Sequence, residues 1–270
     1  MRLTLMLVVA VLMVGCSADQ LRNPSFDVTV AQAKAALRHM DQNPRSLDRP
    51  VIVLAGYLDP GFASESFAAR LRHATGDSRI QSVAFAFCGD FDECRRRLVE
   101  AVEKHFPSDD PEWTTEVDVV AISMGGLVGR YAAMPVKDDS QQSGANGTKR
   151  LKVARMFTIS SPHRGASLAD LPSFDRVQID MRIGSPFIES LEPPNGAYEL
   201  YCYVRLGDKT VGPENAAPPG FTPWWVQKTP LSTAHAGAFT DPRILADIAR
   251  RLRGETPFAT DPPAPLPGTN

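Results

Sequence analysis

The sequence has little imbalance of charge: 29 Lys and Arg against 31 Asp and Glu leave a formal net charge of −2 over 270 residues. Basic residues cluster no further than Arg95–Arg97, which reads as the solvated face of a helix. The electrostatic footprint of a nucleic-acid binder is therefore missing. Cysteine is scarce, with four in the chain, and no spacing of Cys, His and carboxylates reads as a metal site. The apolar run Leu3–Val14 falls short of the roughly 18 to 20 residues that span a bilayer. No internal repeat and no second domain is visible.

What is present begins with a leader. Residues 1–15 carry one Arg and then the apolar run, as a secretory signal does. The run ends at Met13-Val14-Gly15-Cys16, which resembles the cleavage box of bacterial lipoproteins, with Met13 standing where Leu is usual. The resemblance implies that Cys16 becomes the lipidated N-terminus and anchors the chain stably to the cell envelope. Ser17 rather than Asp after the cysteine favours the outer membrane, facing the periplasm. An ordinary secreted protein with an incidental cysteine is the alternative. Such a compartment permits disulfides, and the near neighbours Cys88 and Cys94 are expected to bridge, with two free thiols as the other reading. Cys202 sits in an apolar run and reads as core.

After a polar lead-in over 16–49 with an amphipathic helix at Val28–Met40, short apolar runs alternate with helical patterns. Strands are expected at Val51–Leu54, Val83–Cys88, Val117–Ile122, Val153–Ile159 and Leu200–Leu206. Helices are expected from Ser64 or Glu65 to Ala74, and over Phe91–His105, Met124–Met134 and Pro242–Leu252. Asp241 is the N-cap of the last, with Pro242 at its first position. Lys137–Arg150 has almost no apolar residue and reads as a surface insertion. Proline-rich 255–270 reads as a disordered tail. Strands apolar on both faces and separated by helices predict an α/β domain over 50–254, with a mostly parallel central sheet covered on both faces. The stretch Ala166–Asn195, between two strands, is long enough to form a small cap.

The most informative stretch is Val117–Arg130. A β-branched apolar run stops at Ser123 and a helical pattern follows, with Ala121 two residues before the serine and Gly125 two after. A serine between small residues at a strand-to-helix junction is how a nucleophile elbow is built. The usual pattern has Gly at the first small position, so Ala121 is a departure. Together with V-I-V-L-A-G-Y, T-I-S-S-P-H-R-G-A, R-L-G-D-K-T-V and H-A-G-A-F-T-D-P, in that order, the motif resembles the α/β-hydrolase superfamily, of bacterial esterase/lipase-like type, from about Pro50 to Leu252.

In that superfamily the acid and then the base follow the nucleophile. Of five histidines only His163 and His235 follow Ser123. His163 comes directly after a strand with little room for an acid loop before it, which leaves His235 as the base. Asp208, projecting after Gly207 at the end of a strand, is the matching acid. The resemblance further implies an oxyanion hole from the backbone N–H groups of Met124 and Tyr57, although Ala55 stands where the superfamily usually has His. It implies cleavage of carboxylic, lipid-like esters with no cofactor; the expected partners are a small-molecule ester or lipid substrate and, through the N-terminal lipid anchor, the membrane, with no nucleic acid. Phe187, Trp224 and Trp225 are candidate substrate contacts. Two other readings stay open: a fold-retaining lipoprotein that scaffolds partners, and a thioesterase or acyltransferase on the same three residues.

Overall fold

Val51–Leu54 and Val117–Ile122 are buried at every position, which only a strand covered on both faces requires. They are β1 and β3 of a six-stranded sheet completed by β2 (Ile80–Val83), β4 (Val153–Ile159), β5 (Glu199–Arg205) and β6 (Trp224–Val226). The order is β2-β1-β3-β4-β5-β6, and every pair is parallel. The computed structural model describes residues 22–135, 149–191, 195–229 and 232–268. The expected leader, Cys16 and nearly all of the 137–150 insertion lie outside these residues. Among the described residues no helix is long and apolar enough to cross a membrane.

Strand alternation sorts the core into two layers. Val51, Val53, Val120, Ile122, Phe157 and Ile159 face one side, where they meet α1 (Val30–Gln42), α2 (Phe62–Thr75) and α8 (Pro242–Leu252). Ile52, Leu54, Val119, Ala121 and Met156 face the other, against α3 (Phe91–His105) and α4 (Gly125–Ala133). Caps set the helix starts: Thr29 and Gln32 form a reciprocal capping box on α1, and Asp90 and Asp241 cap α3 and α8. Between β4 and β5 the cap is built from a 3-10 turn at Ser167–Asp170 and two short helices, α5 (Arg176–Asp180) and α6 (Pro186–Ser190). A single turn of helix, α7 (His235–Ala238), precedes α8.

Three expectations are corrected. The second strand is Ile80–Val83 rather than Val83–Cys88, because pairing with β1 ends at Leu54 opposite Val83 and the chain then turns, with Phe87 at φ +67°. The residues after 254 are not disordered through 268. Asp247 accepts hydrogen bonds from the N–H groups of Phe258 (2.6 Å) and Ala259 (2.7 Å), and Thr260 N–H donates to Ser25 O (2.8 Å). A proline-rich segment needs no ladder of its own when buried acceptors and an edge strand fix it. Cys88 and Cys94 are free thiols rather than a bridge. They remain in hydrogen-bond contact, and burial pushes both thiols up.

Candidate active site

β3 delivers Ser123 at φ +50°, left-handed for a residue with a side chain, and the Ser123 N–H is tied to Ile159 O at 2.9 Å. Such a conformation costs on the order of 1–3 kcal/mol and lifts the hydroxyl above the strand end. The turn closes only because α4 approaches β1 without side chains in the way: a Cβ on Gly125 would lie 2.8 Å from Ala55 O and 2.9 Å from Leu54 O. Ala121, the departure from the usual glycine, is fully buried in β3 opposite Leu54 and Thr158, inside a regular ladder.

Two more elements bring their residues to the same strand ends. β5 runs into Gly207 and Asp208, and α7 begins with His235. His235 Nε2 is 3.2 Å from Ser123 Oγ, and its Nδ1 is 2.8 Å from Asp208 Oδ2. The Asp208 side chain has no exposure, whereas His235 keeps 20%. The other Asp208 oxygen accepts the N–H groups of Thr210 (2.9 Å) and Val211 (3.2 Å). Burial pushes this carboxyl up, but His235 and the Val211 N–H outweigh it and hold the group below its ordinary range.

The N–H groups of Tyr57, on the loop after β1, and of Met124, next to the serine, make no hydrogen bond among the described residues. The Tyr57 side chain reaches into the cap, donating to Asp175 Oδ2 at 2.6 Å; burial and this carboxylate push its hydroxyl up to about 12. Asp175 in turn caps α5 by accepting from Val177 and Gln178 N–H. The loop behind the serine and the first cap helix are therefore one hydrogen-bonded unit.

Ser123, His235 and Tyr57 open on a cavity of about 310 Å3. Ala166, Leu168, Ala169, Leu171, Met181 and Val211 form its apolar wall, with Gln178 and Thr210 as polar side chains. Sequence reasoning placed a cap over Ala166–Asn195 and singled out Asp208, but it did not pick out Leu168 and Ala169 in the 3-10 turn or Thr210 and Val211 as lining residues. The proposed substrate contacts are corrected. Trp224 and Trp225 are buried in β6, their indole N–H groups donating to Thr260, Ala264 and Pro265 carbonyls, so they hold the C-terminal segment. Phe187 stacks on Phe91 with ring centroids 3.9 Å apart and anchors the cap to α3 instead of lining the cavity.

His163 is 2% exposed and bonds Arg130 (3.1 Å) and Thr158 Oγ1 (3.0 Å), while Arg130 reaches Leu191 O at 3.0 Å. Burial, with Arg130 and Arg164 nearby, drives its pKa well below the usual histidine value. A neutral ring in this place ties α4 to β4 and the cap, away from Ser123.

Residues 78–191 match the family described as "Putative serine esterase (DUF676)". The structure is similar to the propeptide form of the Bacillus licheniformis lipase BlEst2, with 14% identity, a TM-score of 0.53, and coverage of 83% of this chain and 54% of that one. It is also similar to Aspergillus fumigatus lipase B, with 16% identity, a TM-score of 0.52, and coverage of 88% of this chain and 60% of that one. The chain thus spans a little over half the length of these two lipases. No curated protein matches it.

Proposed function

We propose that in this chain, whose fold is that of the α/β-hydrolases and whose residues 78–191 match a serine-esterase family, Ser123, His235 and Asp208 cleave carboxylic, lipid-like esters through an acyl-enzyme. The observation that carries the reading is the unbroken relay from Asp208 through His235 to Ser123 at a strained strand end. In the first half-reaction His235 Nε2 takes the Ser123 proton as Oγ bonds to the ester carbon, and the carbonyl electron pair moves onto oxygen. The N–H groups of Tyr57 and Met124, which bond no other described group, would receive that oxyanion. Collapse breaks the bond to the leaving alkoxide, which takes the proton back from His235. Water then repeats the sequence against the acyl-enzyme, releasing the acid and restoring Ser123. Asp208 orients the imidazole and balances its transient positive charge.

The apolar wall supports a hydrocarbon acyl group. So does the surface around it: Leu168 and Leu171, which line the cavity, are themselves more than half exposed, and Leu58, Phe87 and Phe174 on loops, with Phe62 at the start of α2, are exposed at the same carboxyl edge of the sheet. Apolar side chains gathered there suit a lipid-like substrate. The Met13–Cys16 box supports an anchored form in the bacterial envelope, which would hold this edge near its substrates.

A series of p-nitrophenyl esters tests the reading. The wild type is expected to hydrolyse medium-chain esters better than acetate. Ala169 is 3% exposed at the cavity wall, so Ala169→Phe fills acyl space, and its loss of kcat/KM is expected to grow with chain length, reaching about 10- to 100-fold at octanoate. Equal losses on acetate and octanoate would place the acyl group elsewhere.

A further inference from the structure

Arg205 is the last residue of β5, three positions before Asp208, and is 2% exposed. Its guanidinium does not point to the cavity. It turns under the segment that carries His235: Nη1 donates to Thr233 O (3.2 Å), and Nη2 donates to Thr229 Oγ1 and Ser232 Oγ (2.9 Å each). Nε faces Asp241 Oδ2 at 3.4 Å. Asp241 is itself gripped by Arg243 (2.7 and 2.9 Å) and caps α8. The fit against the base-bearing turn leaves no room for a side chain, because a Cβ on Gly237 would fall 1.8 Å from Arg205 Nη1.

We propose that Arg205 is a positioning residue for His235: it clamps the residues on both sides of the base to the strand that carries Asp208, so acid and base share one register. The proposal rests on the reading of His235 as the base. Three features converge on it. The clamp holds Thr233, two residues before His235, and packs under Gly237, two residues after. The segment from Gln227 to Ala234 contributes no described strand or helix of its own to fix the base. The planar guanidinium donates in three directions at once, which a lysine ammonium on a shorter reach cannot reproduce.

The test uses the full chain and three single variants, Arg205→Met, Arg205→Lys and Gly237→Ala, with the double Arg205→Met/Gly237→Ala. Displacement of a catalytic base on the ångström scale costs about 100-fold in rate, so Arg205→Met is expected to lose about that in kcat with KM nearly unchanged. Arg205→Lys is expected to recover part of the loss. Gly237→Ala is expected to fall similarly, since its methyl group displaces the guanidinium, and the double variant to be no worse than Arg205→Met alone. A second readout is independent of turnover. The His235 Nδ1 proton shared with Asp208 gives a downfield NMR resonance, expected sharp in the wild type and broadened in Arg205→Met and Gly237→Ala.

Wild-type kcat in Arg205→Met, a loss confined to KM, additive losses in the double variant, or an unchanged Nδ1 resonance would each overturn the clamp. If Arg205→Met does not fold, Arg205→Lys and Gly237→Ala decide by the same two readouts. A wild type without Ser123-dependent hydrolysis would sink the catalytic reading, while the resonance would still decide the clamp.

Discussion

Asp208→Asn is expected to lower kcat by about 10³- to 10⁴-fold while leaving the fold intact. The reason lies in how both carboxylate oxygens are used. Oδ1 already accepts the N–H groups of Thr210 and Val211, and Oδ2 faces His235 Nδ1 at 2.8 Å. An asparagine keeps its carbonyl on the two backbone donors, which turns its NH2 group toward His235. The ring then accepts at Nδ1 and carries its proton on Nε2, the nitrogen that must take the Ser123 proton. The imidazolium also loses its counter-charge. Steady-state turnover of a p-nitrophenyl ester measures the effect, and a loss under ten-fold would mean that Asp208 does not orient the base.

The wild-type carboxyl has a matching pH signature. Its folded pKa is depressed, so its charged form stabilises the fold above the unfolded carboxylate pKa, and that contribution is lost only as pH falls through the lower folded value. Asp208 therefore stays ionised through neutral and mildly acidic conditions, and an acid limb in kcat/KM there belongs to another group.

The second large effect is on stability. Asp247 on α8 is fully buried and accepts from Tyr203 Oη (2.7 Å), Arg251 Nε (3.0 Å) and the N–H groups of Phe258 and Ala259. Arg251, 9% exposed at its side chain, also lies over the rings of Tyr201 and Trp224. Asp247→Ala strands that guanidinium without its counter-charge and leaves two backbone donors and a phenol without an acceptor. Breaking one side of a buried pair costs about 3–5 kcal/mol. A domain of this size responds with roughly 2–4 °C per kcal/mol, so Tm is expected to fall by about 10 °C. Differential scanning calorimetry reads it, and a shift under 2 °C would show that the C-terminal segment is held some other way. Ester turnover well below the transition is expected to survive, because Asp247 lies on the helix layer away from Ser123.

The residues with chemical motifs were the legible ones. The strand Val117–Ile122 running into Ser123, the aspartate after β5 and the histidine before α8 could be read in order as candidates, because such roles call for specific residue types at strand ends, and the structure brings the three side chains within hydrogen-bond reach. The strands β3 and β4 and the helices α3 and α8 were legible for a different reason: apolar runs and caps set their ends directly. Trp224 and Trp225 misled, since adjacent tryptophans look like a binding surface whether their partners are an acyl chain or the carbonyls of Thr260, Ala264 and Pro265. Those carbonyls lie 36 to 40 positions away along the chain, beyond any local pattern. The clamp at Arg205 was hidden similarly. An arginine ending a strand carries no signal until the fold lays it under Gly237. Proline-rich composition concealed an ordered segment, because its order comes from Asp247 and Ser25, not from its own residues.

Labelling of the purified protein with a fluorophosphonate probe tests the central claim most directly, because phosphonylation requires an activated serine and no knowledge of the natural ester. One label per chain is expected, on the peptide containing Ser123, and none on a folded Ser123→Ala variant. A folded wild type that resists the probe, or a Ser123→Ala variant that labels as well as the wild type, would contradict it.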